Sequence, residues 1–289
     1  MTKIRIFLLY TVCAFVALAF FIYYLFPSDA VKAYVTSELK NANPDFSMTI
    51  DQIRPGFPPG FKCKDIMLFQ KDIPMIHADW MKIFPDFLTL LGSEKRFIFK
   101  GESHEGHFDG HITLPPSSEK KNASDLTIRS ELSEIQVREI SGIQDRSDNE
   151  ISGILGGTIT YGGKDSEGAV NAKLTLADCN IGLAEPIFSV ETLTFDTIDA
   201  DVEIKEKKVQ IRQCVTKGKQ VGGNFSGIIS LKEPFEKSML NLSGSIKPHP
   251  SFIANLGEGA ALLLKQGSGA DGFPFSIRGT FESPQFSLE

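Results

Sequence analysis

Three of the five histidines lie in one stretch, Glu102-Ser103-His104-Glu105-Gly106-His107-Phe108-Asp109-Gly110-His111. On a strand, His107, Asp109 and His111 share the face opposite Phe108 and Ile112. Imidazole and carboxylate at i, i+2 and i+4 form a donor set for a divalent metal. The same spacing also describes a solvated strand face. No fourth ligand is identifiable, and His-Glu-Gly-His lacks the HExxH spacing of helical zinc proteases. Gly267-Ser268-Gly269-Ala270-Asp271-Gly272 matches GxGxxG. It follows a predicted helix and precedes a strand, the reverse of the dinucleotide-binding order, so it reads as a loop. There is no phosphate-binding GxxxxGK[ST] loop and no GxSxG elbow. Asp199 and Asp201 flank Ala200 and read as the polar outer face of a strand. The sequence therefore predicts a non-enzymatic protein with no cofactor.

The elements that position these residues begin with an apolar stretch, Ile6–Phe26, which holds no charge and no proline. At ~1.5 Å per residue it forms a helix of roughly 31 Å, matching a hydrocarbon core of ~30 Å. Inside lipid it must be helical, because every backbone group needs a partner within the segment. A secretory leader would have a shorter apolar core ending in a small-residue cleavage site. Here the run continues past Ala17 and Ala19 through Phe20, Phe21, Tyr23 and Tyr24, so an uncleaved anchor is expected. Lys3 and Arg5 precede it, Asp29 and Lys32 follow it, and this asymmetry keeps the N-terminal tip cytoplasmic with the body on the far side.

The net charge is −6 over 289 residues. An acidic body with no evident basic patch interleaved with aromatics excludes nucleic acid as the expected partner. Phe (23) far outnumbers Tyr (5) and Trp (1), so much apolar surface must be hidden by a core or a ligand. Cys13 lies in the span. Among Cys63, Cys179 and Cys214 at most one internal disulfide can form, and a Cys179–Cys214 bridge is compatible with an oxidising compartment.

After the anchor, Ser28 reads as an N-cap of a short amphipathic helix carrying Val31, Tyr34, Val35 and Leu39 and ending near Asn41 to Pro44. Phe46, Met48 and Ile50 alternate on a strand, and Arg54-Pro55-Gly56-Phe57-Pro58-Pro59-Gly60-Phe61 marks a fixed turn. Strands follow near Phe61–Phe69 and Ile73–Ile83. Pro85 then opens a predicted helix through Phe87, Leu88, Leu90 and Leu91 with Gly92 as its stop. Trp80 reads as core. Alternation returns over Arg96–Leu114. Polar, turn-rich stretches fall at Pro115–Asn122, Gln144–Glu150 and Gly162–Gly168. Lys205–Lys208 reads as a hairpin, and Pro250 begins a helix through Phe252, Ile253, Leu256, Ala260, Leu263 and Leu264.

Period-2 alternation nominates one apolar face: Val170, Leu174, Leu176, Phe225, Ile229, Leu231, Leu240, Leu242, Phe275, Ile277 and Phe281. A glycine recurs two residues before an apolar residue, as in Gly110-x-Ile112, Gly157-x-Ile159, Gly227-x-Ile229, Gly244-x-Ile246 and Gly279-x-Phe281. Glycine inside strands marks bends. The expected fold is mainly β: an N-terminal transmembrane helix, then an elongated, curved antiparallel sheet with a few short amphipathic helices. The expected division is a tip and anchor over 1–26, a helix-plus-β part over 27–114, a loop over 115–124, and a β-rich part over 125–289 with a helix near 250–265.

Four stretches carry a family resemblance. They are Leu25-Phe26-Pro27-x-Asp29; Ile53-Arg54-Pro55-Gly56-Phe57-Pro58-Pro59-Gly60 with Asp65-Ile66; Pro85 through Leu91-Gly92 before a strand; and Phe275-x-Ile277-x-Gly279-Thr280-Phe281-x-x-Pro284-x-Phe286-x-Leu288. Together they resemble the type II secretion system protein N family (GspN) in its longer, N-terminally anchored form. The later strands are also similar to AsmA-type bacterial envelope proteins, whose curved sheets form an apolar trough. The first resemblance implies a single-pass component of the bacterial inner membrane with a periplasmic body. Its partners would be the other components of the machine that exports folded proteins, and it brings no catalytic residues. The second implies an AsmA-like role in lipid binding, lipid transfer or envelope assembly, with phospholipid as ligand.

Overall fold

The computed structural model describes residues 2–42, 44–70, 73–114, 126–140, 150–162, 168–187, 190–250, 252 and 272–288. Two helices come first, α1 (Thr2–Tyr24) and α2 (Ser28–Ala42). Fourteen strands follow: β1 (Phe46–Gly56), β2 (Gly60–Gln70), β3 (Ile73–Pro85), β4 (Lys95–Ser103), β5 (Gly106–Leu114), β6 (Thr127–Gln136), β7 (Ile151–Gly162), β8 (Val170–Ile187), β9 (Val190–Lys205), β10 (Lys208–Lys217), β11 (Val221–Ser230), β12 (Met239–Pro248), β13 (Phe273–Thr280) and β14 (Pro284–Leu288). They form one curved sheet in which spatial order is sequence order and every pairing is antiparallel. Because β5 pairs with β6, the two β parts read from sequence lie in one continuous sheet.

α1 exposes its large apolar side chains along its length, from Ile4 to Tyr24. Among the described residues no helix is long and apolar enough to cross a membrane, so the expected N-terminal transmembrane helix is not supported here. α2 packs beside β1. Ser28 Oγ donates to the Ile53 carbonyl (2.8 Å) and Lys32 Nζ to the Asp51 carbonyl (2.8 Å). Ser28 thus ties the helix start to the sheet rather than capping its own backbone. Val31 joins a cluster with Ile53, Cys63, Ile66 and Ala78, whereas Tyr34 faces out.

Several expectations change. The segment after Pro85 is a turn, not a helix: Pro85 is the last residue of β3, paired with Phe97, and Leu88 and Leu91 are 91% and 98% exposed. A helix this short has too few internal hydrogen bonds to offset its nucleation cost unless packing supports it. β1 continues through Pro55, which an edge strand tolerates because its outward N–H side needs no partner. Cys179 and Cys214 are free, buried thiols on strands separated by β9, so the possible bridge is not formed. The helix near 250–265, the GxGxxG loop over 267–272 and the polar stretch 115–122 lie outside the described residues, apart from Pro250, Phe252 and Gly272.

Candidate functional site

Cross-strand partners point to the same side of a sheet, so following register from strand to strand traces a line across the molecule. One line begins at Ile53 and runs through Cys63, Met81, Gly101, Phe108, Leu132 and Gly157. It continues through Leu174, Ala200, Cys214, Phe225, Gly244, Phe275 and Leu288. It takes one residue from every strand, and none is polar. A second line two residues away runs from Pro55 and Phe61 through Phe99, Ile159, Ile211 and Leu242 to Phe286, and its one polar member is Ser130. A third runs from Pro85 and Phe97 through Ile128, Val170, Ile229 and Leu240 to Pro284. Strands are ~4.8 Å apart, so the band is on the order of 60 Å long along the sheet.

Ile53 (2% exposed) and Cys214 (4%) are buried on this face, as are Phe99, Ala172, Leu240 and Phe275. Among the described residues only α2, beside β1, packs a helix extensively on the sheet. Side chains on a face without a second layer become buried where the sheet curls toward them, so this is the concave side. Curling crowds that side, and the glycines answer the crowding. A Cβ on Gly101 would lie 2.5 Å from the Phe108 ring. Gly227, at φ +149°, would place one 2.2 Å from the Asn241 carbonyl oxygen. Small residues therefore interrupt the large ones along the line.

The first and second lines hold the expected Leu174, Phe225, Leu242, Phe275 and Ile277. The third holds Val170, Ile229 and Leu240. Leu176 lies on a parallel line with Leu155 and Ile198. Leu231 and Phe281 are not on strands. Leu231 follows β11 and donates its N–H to the Lys207 carbonyl, while the Phe281 ring stacks on Phe235 at 4.7 Å. The missed members are Gly101, Ala200 and the cysteines, which are too small to raise a hydrophobic period, whereas Gly157 and Gly244 belong to the recurring glycine pattern. Burial pushes the Cys63 and Cys179 thiols up, and burial followed by the Asp199 carboxylate pushes Cys214 up to about 11. All three thus behave as small apolar side chains rather than nucleophiles.

His107, Asp109 and His111 do share the outer face of β5, opposite Phe108. Their register neighbours are Glu102 and Ser133, Lys100 and Glu131, and Ile98 and Arg129. Burial, then Arg96 and Arg129, lowers the His111 pKa. Among the described residues no group of three His, Cys, Asp or Glu is placed to hold a metal. His104 points elsewhere, its ring 6.0 Å from that of His77, which pairs with Asp65 (3.0 Å). Ser103 Oγ donates its single proton to the His77 carbonyl, so its 2.6 Å contact with His104 Nδ1 is one the imidazole N–H donates. An imidazole in that role is not the base of an activated serine.

Trp80, expected in the core, lies on the outer face beneath Lys62, whose Nζ is 4.9 Å from the ring centroid. It borders a cluster of cations that composition had hidden under a negative total. No family model, no curated protein and no solved structure matches this chain.

Proposed function

We propose that this chain is a non-enzymatic envelope protein, anchored by α1 in a membrane, whose concave sheet face holds acyl chains as an AsmA-like trough. The supporting observation is the unbroken apolar line across all fourteen strands. It begins at Ile53, to which Ser28 ties the start of α2, four residues beyond the end of α1. A surface of that length without polar anchors offers burial but no directional recognition, which suits hydrocarbon. Leaving it in water would be costly, since each buried Leu or Phe contributes roughly 1.5–3 kcal/mol. The anchor rests on the uncharged Ile6–Phe26 sequence, the outward display of its apolar side chains and the basic tip of Lys3 and Arg5. The same asymmetry supports an inner-membrane location with the body in the periplasm.

The test is native mass spectrometry of the full chain purified in mild detergent, with Ala200→Lys as comparison. Co-purifying phospholipid, reduced at least tenfold by the lysine, is expected. A lipid-free wild type would overturn the trough. A second reading, an accessory component of a type II secretion system, is supported by the four sequence stretches and by β14. That strand ends the sheet with Phe286 and Leu288 exposed and, among the described residues, one edge unpaired, a template for strand addition by a protein partner. Loss of export of folded substrates on deletion, with envelope lipids unchanged, would favour it.

A further inference from the structure

On the outer face, Arg54, Lys62, Lys82 and Lys100 are direct cross-strand neighbours on β1, β2, β3 and β4. Like charges placed opposite one another destabilise a sheet, and none of the four is in an ion pair among the described residues. The first carboxylate on the line is Asp109, beyond Lys100, and the nearby Glu102 is turned to His107 (3.8 Å). The available partners are not anions: Lys82 Nζ donates to the Phe57 carbonyl and Lys62 lies over Trp80. These cations line a cleft of about 410 Å³ with Lys64, and Tyr23 from the last turn of α1 closes one side. Phe57 (88% exposed), Leu88 and Leu91 project from the two turns at the same end of the sheet.

We propose that this cleft binds the phosphate groups of anionic lipids in the membrane that α1 enters, with the apolar turn tips resting among their acyl chains. The proposal rests on the anchor reading above. In a chain of net charge −6, general electrostatics repel an anionic surface, so only a local concentration of cations can hold one. The end of α1 puts that concentration at headgroup level. A free anion or an acidic protein would account for the cations but not for Phe57, Leu88 and Leu91.

Trp80 is the single tryptophan and reports on the cleft directly. The full chain in neutral-detergent micelles is titrated with short-chain phosphatidylglycerol, with short-chain phosphatidylcholine and with inorganic phosphate, following Trp80 emission. A saturable change with phosphatidylglycerol at a concentration at least tenfold below that needed with phosphatidylcholine is expected. Lys62→Gln/Lys100→Gln should weaken it at least tenfold, Lys173→Gln on the distant outer face should leave it unchanged, and raised salt should suppress it in the wild type. Equal responses to the two lipids, or a response to inorganic phosphate at the same concentration, would overturn the proposal, the latter in favour of a free-anion site. Unaltered binding by the double variant would also overturn it. Extraction of the chain from membranes by alkaline carbonate would instead remove the anchor beneath it.

Discussion

The line through Ile53 and the line through Arg54 lie one residue apart on every strand they share, and they differ in more than polarity. The inner line is the same in kind from β1 to β14. The outer line changes as it goes: four cations, then Asp109 and Glu131, then Thr158, Lys173, Asp201 and Gln213. At its far end the charges are matched. Arg212 reaches Glu203 at 2.5 Å and Asp201 at 3.5 Å, and Lys173 lies 3.8 Å from Asp201. Near α1 they are not. A uniform face treats every strand alike, whereas a face whose charge depends on position distinguishes one end of the sheet from the other.

The largest effect should come from neighbouring glycines on the two faces. Gly157, on the inner line at φ +139°, would place a Cβ 2.2 Å from the Lys173 carbonyl oxygen, while at Gly156 the nearest atom is 3.4 Å away. Gly157→Ala should cost ~3 kcal/mol or more in urea unfolding, from strained backbone plus backbone overlap, and Gly156→Ala within about 1 kcal/mol. Comparable costs would break the assignment of a crowded concave side. Next, Ile229→Asp removes roughly 1.5–3 kcal/mol of burial and places a carboxylate among Val209 and Leu240. Ser226→Asp on the outer face of the same strand should shift stability by no more than about 0.5 kcal/mol. Equal melting temperatures would show the faces misassigned.

Smaller effects should differ in sign. Arg212→Gln breaks exposed pairs and should destabilise by about 0.2–1 kcal/mol. Lys82→Gln relieves like-charge opposition and should stabilise by a few tenths of a kcal/mol, if salt is kept low. Destabilisation by both would mean that the cations on β1 to β4 are already neutralised. The smallest effect concerns pH. Burial, then the His77 charge, lowers the His104 pKa, against opposing contributions from Asp79 and Glu139. The unfolded chain then binds more protons as pH falls through about 6.5, so stability should drop from pH 7.5 to 5.5. His104→Gln should flatten that dependence in urea midpoints, and an unchanged slope would remove His104 as its source.

Much of the sheet was legible because alternation is strong where strands are regular. Val170, Leu174 and Leu176 against Asn171, Lys173 and Thr175 is such a run, and Lys205–Lys208 announced its hairpin, with Glu206 and Lys207 both at positive φ. What hid the complete line were slips in phase. Asp65, Glu134 and Asp178 adopt positive φ within strands. Two exposed residues then separate buried Cys63 from buried Ile66, and Leu132 from Ile135. A period-2 count fails across each slip, although Cys63 and Ile66 end in one cluster. The false helix after Pro85 came from apolar residues at helical spacing with proline before and glycine after, signals that also fit a long turn. Trp80 was misplaced because size was read as burial, and the cation cluster was invisible because Arg54, Lys62, Lys82 and Lys100 are far apart in sequence and meet only through register.

The strand order carries a consequence for biogenesis. Since each strand pairs with the one made just before it, loop-closure entropy stays small at every step. A chain emerging amino-terminus first has, at each moment, a finished edge on which the next strand can add, beginning with β1 held by Ser28 and Lys32. The sheet can therefore grow outward from the β1 end at the pace of delivery, with no strand waiting for a partner yet to be synthesised. An arrest after β7 should leave a paired half-sheet rather than an unfolded tail.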